Sequence, residues 1–436
     1  MGLLGGDKLI IGYDLDDDYA QISFTDSADG EAETLSQVAG GQVYNIPAVL
    51  CKRFGTNQWL YGREALRCAG EEGGILVENL FALAKNQEPV VVEGESYDPV
   101  ALLALFFKRS LGLLPKSQDK ISALMITCAA DDQELAQMLG RMVEGASFKA
   151  PNIVLQSHAE SYYSYMLRQP RELWNGQSVL FEHRGERVRV YRMESNRRTR
   201  PVVVFVEQIE YDFPEYRFWE ESLSAEGGEQ EKEEARHEAD MAFARIAREV
   251  CGQTVTGSVY LIGDRFAGDW MKESLRFLCG GRRVFQGNNL FSKGACFGMQ
   301  ERLNAGDGGR ESVFLGENKL KANIGMRVLR GGEDSYYALL DAGMDWYAAE
   351  KTIELYLQEG DELTFTVTPL IKNNASSGRV SKDLKLSLSG LPGNISRIQL
   401  HLYMEEEERL VVEACDLGFG EFREATGHVW SETYRL

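Results

Sequence analysis

Histidine is scarce in this chain. There are five in 436 residues, none at the HExxH or HxxxH spacing that brings two imidazoles to one zinc ion. The seven cysteines (Cys51, Cys68, Cys128, Cys251, Cys279, Cys296 and Cys415) stand singly, with no CxxC pair. That pattern argues against a zinc knuckle or a disulfide framework and fits reduced core thiols. No apolar run approaches the ~20 residues of a spanning helix. The N-terminus lacks the charged start and long apolar segment of a secretory leader, so the expected location is cytoplasmic. No Gly-x-Ser-x-Gly elbow supports a serine nucleophile. Positive charge is in the minority: 47 Lys and Arg against 67 Asp and Glu give a net charge of -20. Nucleic acid and anionic membrane surfaces are therefore poor partners.

What is present suffices for more than one folded unit. The length exceeds a typical domain, and 44% hydrophobic with 26% charged residues is ordinary for a globular protein. Two stretches share a plan. Residues 9–24 read apolar strand, tight turn, alternating return strand, with Asp16, Asp17 and Asp18 on the turn. Residues 178–191 repeat it, but Arg184 and Arg187 flank this turn beside Gly185. One hairpin tip is acidic and the other carries two arginines.

The pattern between and after these hairpins predicts alternating elements. A proline-entered edge strand is expected over 42–51, a strand end and helix over 58–69, and an apolar element at 80–85. Asp98 caps, and Pro99 starts, a helix reaching Leu114. A buried strand at 121–127, helices at 132–146 and 159–168, and a short strand at 153–156 lead to the second hairpin. Strands of both senses with helices make this an α/β domain. Residues 214–240, rich in Glu, read as an exposed loop running into a solvated helix face. A helix to Val250, a strand at 258–264 and helices at 270–278 and 293–303 follow. Residues 304–312 are glycine-rich and polar. Beyond them the period switches to two through seven strand candidates between Ala322 and Ala414, an all-β sandwich.

These residues together resemble the seventy-kilodalton heat-shock chaperone family, within the actin and hexokinase ATPase superfamily. Gly12-Tyr13-Asp14-Leu15 is similar to the start of its first phosphate motif. Asn45 to Val49 and Tyr61 to Ala65 resemble the strand and helix that follow. Phe81 to Lys85 is similar to the segment carrying the catalytic lysine, and Ala159-Glu160-Ser161 stands where the family starts a helix. Tyr260 to Asp264 and Lys293-Gly294-Ala295 resemble the adenosine strand and its helix. Val313-Phe314-Leu315 resembles the interdomain linker. Asn323 to Gly332, Leu357 to Gly360, Leu388 to Pro392 and Arg409 to Ala414 resemble the peptide-binding β domain in family order. The resemblance implies an actin-like two-lobed ATPase fold over 1–303, a linker over 304–319, and a β-sandwich over 320–436 without the family's helical lid.

In that fold two turns face each other and cradle phosphates with backbone N–H groups, which glycines admit closely. Here the motifs are degenerate. The first turn is Asp16, Asp17 and Asp18. The second keeps only Gly185, between Arg184 and Arg187. At the adenosine strand Gly263 is followed by Asp264 and Arg265. One like-charge contact at 4 Å costs about 4 kcal/mol at an effective dielectric near 20. The aspartates would oppose a polyphosphate unless metal intervened, so no cofactor and no resident metal are expected. The sharper expectation is that the tip aspartates pair with Arg184 and Arg187 across the cleft. The expected function is that of a chaperone-like scaffold, a pseudo-ATPase binding a protein or extended peptide. The candidate peptide edges lie at Gly331, Gly332 and Tyr336, and at Tyr356 and Leu357. The alternative is a divergent magnesium-dependent ATPase using Mg-ATP, with Asp14, Lys85, Glu160 and Glu182 as its catalytic set. Actin-like assembly is a third possibility.

Overall fold

The computed structural model describes residues 9–27, 29–38, 40–116, 120–174, 176–197, 201–224, 228–252, 254–304, 311–357, 360–370, 381–391 and 396–436. The chain divides into two compact units, 1–195 with 205–310, and 196–204 with 311–436.

The first unit is built on two sheets of one plan. In the first, the hairpin Leu9–Leu15 and Tyr19–Thr25 is extended on its Leu9–Leu15 side by Ile121–Cys128 and then Asn152–Ser157, both parallel to it. In the second, the hairpin Gln177–Arg184 and Arg187–Asn196 is extended by Thr256–Ile262 and then Arg283–Gly287, again parallel. The inner parallel strands are buried and carry apolar runs without alternation, whereas the edge strand Arg283–Gly287 is largely exposed. Ile121–Cys128 is buried at every position but Ser122.

Local signals set the helices on the first sheet. Asp98 accepts the N–H of Val100 at 2.9 Å, with Pro99 at the first helical position of Pro99–Leu111. Asp132 caps Gln133–Gly145 through the N–H of Leu135 at 2.8 Å. Phe106, Phe107, Leu135, Met138 and Met142 from these helices close the core over Ile11, Tyr13 and Leu124. The second sheet has its own core, in which Phe243, Ile246 and Val250 of Glu229–Cys251 meet Val179, Phe181 and Leu261. Two further helices stitch the sheets together. His158–Leu167 follows the edge strand of the first sheet, and Leu290–Asn304 follows that of the second and crosses back over Leu9–Leu15. Their approach is close: a Cβ on Gly12 would collide with Ser292 O, and one on Gly294 with Ser161 O.

Several expectations need correction. Residues 214–224 are a helix, not a loop, and Tyr216 is buried there. Phe213, Tyr216 and Trp219 recur at helical spacing and pack on Trp270. The strand Val202–Asp212 was not foreseen. The stretch 42–51 is broken into Ile46–Pro47 and Leu50–Arg53. The helix expected from residue 270 begins at Glu273, because the Asp240 carboxylate takes the N–H groups of Lys272, Glu273 and Ser274. That cap comes from another helix, so no local sequence rule finds it.

The second unit is a sandwich of two antiparallel four-stranded sheets. One runs Glu333–Leu340, Ala322–Arg330, Glu362–Pro369, Lys382–Ser387, and the other Glu350–Leu357, Ser396–Glu406, Arg409–Asp416, Val429–Arg435. Ile324, Phe365 and Leu384 from the first face Leu400, Leu402 and Val412 from the second in one core. The last strand, Val429–Arg435, had gone unread. Of the linker expected over 304–319, residues 305–310 lie outside the described residues. The rest from 311 on belongs to the sandwich unit: Ser312–Phe314 pairs in parallel with Val202–Val204, and buried Lys319 bonds Asp345 at 2.7 Å.

Candidate functional site

The two hairpin tips of the first unit meet. The first tip turns through Asp16, Asp17 and Asp18, with the N–H of Asp16 bonded to Tyr19 O at 3.1 Å. The second is a two-residue turn, Gly185-Glu186, with Gly185 at φ +54. Arg184, the last residue of its strand, reaches across and pairs with the Asp16 carboxylate. Its guanidinium lies 5.7 Å from the centre of the Tyr19 ring, and its Nε donates to Glu182 Oε1 at 2.6 Å. Glu182 is almost wholly buried and also takes the Tyr191 hydroxyl at 3.2 Å, with Arg189 at 3.6 Å. Burial pushes its carboxyl above the ordinary range, while His158 and Arg189 pull it down. Asp14, equally buried, bonds His158 Nε2 at 2.8 Å, and His158 stacks on Phe291 with ring centres 4.0 Å apart. The centre of the cleft is thus a chain of carboxylates interleaved with cationic or hydrogen-bonding partners from both sheets.

The other tip aspartates go elsewhere. Asp17 accepts the N–H of Ala82 at 2.7 Å in the first turn of Leu80–Asn86, and burial raises its carboxyl. Asp18 faces solvent, and its carbonyl takes the Ala48 N–H at 3.0 Å. Arg187 does not cross the cleft, contrary to expectation: it pairs on its own sheet with Glu210 at 3.2 Å and Asp212 at 3.7 Å. Strand neighbours capture it before any residue of the first tip.

Beside the tips, a second set of bonds spans the sheets. Gln21 donates to Asn45 Oδ1 and to Asn288 O, both at 2.5 Å, and Asn45 and Asn288 donate to Asp264 at 3.0 and 3.3 Å. Arg265 donates to Gly185 O at 2.5 Å. Gly263 has φ +109, and a Cβ there would stand 2.9 Å from His183 O. The ring of His183 is buried among Phe213, Tyr216, Phe266 and Trp270, and burial pushes its pKa down to about 3. Of the remaining expected catalytic set, Glu160 bonds Arg302 at 3.1 Å, and Lys85 is exposed, close enough to act on Asp17 electrostatically. So Asp14 and Glu182 share the cleft centre, while Glu160 is engaged by Leu290–Asn304. Among the described residues no three His, Cys, Asp or Glu side chains converge as a cation site. His158, Arg189 and Tyr191 had not been singled out. His158 starts the helix expected from Ala159, one residue before that expected start.

Residues 31–317, more than half of the chain, match a family of unknown function, DUF5716, in its C-terminal part. The chain belongs to the DUF5716 family. Residues 319–436 match a domain of unknown function, DUF8552. No curated protein matches the chain.

In this DUF5716 member the second hairpin of the cleft falls within the family match, the first hairpin with Asp14 and Asp16 precedes it, and the peptide-edge candidates fall within the DUF8552 match. Those candidates do not form one site. Gly331 and Gly332 make the turn after Ala322–Arg330, at φ +64 and +89. Tyr336 lies across Gly325 of the same sheet. Tyr356 and Leu357 end the edge strand of the opposite sheet. Tyr356 points outward, whereas Leu357 packs against the core. The two candidate edges belong to strands of different sheets of the sandwich. No helix among the described residues is long and apolar enough to cross a membrane.

Proposed function

We propose that this protein is a chaperone-like scaffold that binds a protein or an extended peptide, with its two-hairpin cleft closed by its own charges in place of a nucleotide. The carrying observation is the seat of Arg184 between Asp16 of one tip and Glu182 of the other. The residues of the cleft fit a triphosphate badly. Asp16 and Asp17 are already engaged, and Arg184 bridges the tips. Phosphate oxygens arriving beside Asp14, Asp16 and Glu182 would meet repulsion of about 4 kcal/mol per close pair. The duplicated sheet plan, with a helix crossing from each sheet to the other, supports reading the first unit as a degenerate relative of the actin and hexokinase ATPase superfamily. The sandwich of two antiparallel sheets supports reading the second as related to the peptide-binding domain of the heat-shock chaperones. On this reading the protein works in the cytoplasm, in keeping with seven unpaired cysteines.

Isothermal titration of the intact protein with Mg-ATP, alongside thermal shift, tests the proposal. The expected result is no saturable heat and no change in Tm. Saturable binding, with turnover lost in Asp14→Asn, would overturn it in favour of a magnesium-dependent ATPase. Growth of light scattering on adding Mg-ATP would point to filament assembly instead.

A further inference from the structure

Residues 417–428 follow the strand Arg409–Asp416 without forming a strand, yet they are tied down at many points. Asp416 is wholly buried. Its carboxylate accepts the N–H of Gly418 at 3.1 Å, the N–H and hydroxyl of Thr426 at 3.0 and 2.8 Å, and both terminal nitrogens of Arg423 at 2.8 and 2.5 Å. The Arg423 guanidinium holds this carboxyl far below the ordinary range and reaches on to Ser396 Oγ at 2.8 Å. Leu417 donates to Arg397 O at 2.9 Å, Arg397 to Gly418 O at 3.1 Å, and Phe419 to Arg423 O at 2.8 Å. A buried, fully bonded carboxylate of this kind over-determines the path of the segment around it. What the segment displays is therefore set by the fold.

It displays aromatic rings. Phe422 is 90% exposed, and Tyr356, at the end of the neighbouring edge strand, is 62% exposed. The Phe419 ring stands between them. Its centre is 6.1 Å from that of Tyr356 with planes at 84°, and 6.1 Å from that of Phe422 with planes at 41°. Exposed rings gathered on a rigid segment forgo solvation gain without any packing return, which marks an interaction surface. The charges around them are one-sided. Arg423 is spent on Asp416, and Arg397 on Glu354 at 2.9 Å. Glu421 and Glu424 project from the same segment, exposed, with no hydrogen-bond or ion-pair partner among the described residues.

We propose that Tyr356, Phe419 and Phe422, with Glu421 and Glu424, form a docking surface for a cationic side chain, carried by an arginine- or lysine-bearing segment of a partner protein. Ring faces attract a cation lying within about 6 Å of their centres, and arginine does so best because its planar, weakly hydrated head stacks. The two free carboxylates select the sign of the partner's charge and speed its approach, as does the chain's net charge of -20. A purely apolar side chain would gain from the rings and nothing from the carboxylates. The surface rests on the binding-scaffold reading for its role and adds the chemistry of the partner.

The test is fluorescence anisotropy on the intact protein with three labelled Gly-Ser nonapeptides, bearing three arginines, three citrullines or three leucines. The arginine peptide is expected to bind saturably, with affinity falling as salt rises, and the citrulline peptide at least tenfold more weakly. Phe422→Ala and the double change Glu421→Gln with Glu424→Gln should each weaken arginine-peptide binding at least fivefold. All these side chains are exposed, so the thermal unfolding of the variants should match that of the parent and serve as the folding control. Equal binding of arginine and citrulline peptides, or indifference to Phe422→Ala, overturns the proposal. Binding of the leucine peptide alone also overturns it while leaving the scaffold reading intact. A cleft that takes Mg-ATP would count against the scaffold reading and leave this result unaffected.

Discussion

Replacing Arg184 by methionine removes a side chain that bonds carboxylates of both hairpin tips while keeping most of its volume. The consequences differ between its partners. Asp16 is 15% exposed in its side chain and can recover water; Glu182 is 2% exposed and cannot. Glu182 would lose a charge-assisted bond of 2.6 Å and keep the Tyr191 hydroxyl at 3.2 Å and Arg189 at 3.6 Å. Breaking a buried pair by removing one partner costs about 3–5 kcal/mol, and the residual partners put this case near the lower end, about 3 kcal/mol. The sign of the pH dependence follows from Glu182. Burial already holds its pKa above the ordinary 4.5. A carboxyl raised on folding disfavours the folded state once it ionises, so its cost grows as pH rises above 4.5 and vanishes in acid. Loss of Arg184 raises it further, and the deficit of Arg184→Met should therefore be largest at pH 7 and shrink toward pH 5. Denaturant unfolding followed by tryptophan fluorescence, in a double-mutant cycle with Glu182→Gln, measures both effects. A cost below 1 kcal/mol at pH 7, or no coupling between the two positions, would class the bridge with exposed surface pairs and remove the physical basis of a self-closed cleft.

Two further outcomes are expected in the same unit. The His183 ring, held neutral with a pKa of about 3, binds its proton only on unfolding. Stability should therefore fall as pH drops below 6.5, by about 2 kcal/mol at pH 5. His183→Leu should abolish that part of the slope, read from denaturant unfolding followed by tryptophan fluorescence across pH 5 to 8, and parallel slopes in the two proteins would refute it. Gly263→Ala combines φ +109 with a Cβ 2.9 Å from His183 O, so it should cost about 2 kcal/mol in denaturant unfolding, and a loss under 0.5 kcal/mol would contradict the close approach.

Periodicity and punctuation in the chain determined many of the elements, though not the strands Val202–Asp212 and Val429–Arg435 or the helix Pro214–Ser224. The hairpins at 9–24 and 178–191, the Asp98-Pro99 helix start and the switch to period two beyond residue 320 rest on short-range rules of side-chain spacing and capping. The opposite charge of the two tips was legible for the same reason. Which charges meet was not. Asp16 takes Arg184 while Asp17 turns to the Ala82 N–H, and Arg187 is drawn to Glu210 on its own sheet. Asp240 caps a helix more than thirty residues away. The rings of Tyr356 and Phe422, apart in sequence, come together only because Asp416 gathers residues 417–428 beside an edge strand. Pairing energies at these distances depend on geometry in three dimensions, and a carboxylate in sequence carries no record of which donor will reach it first.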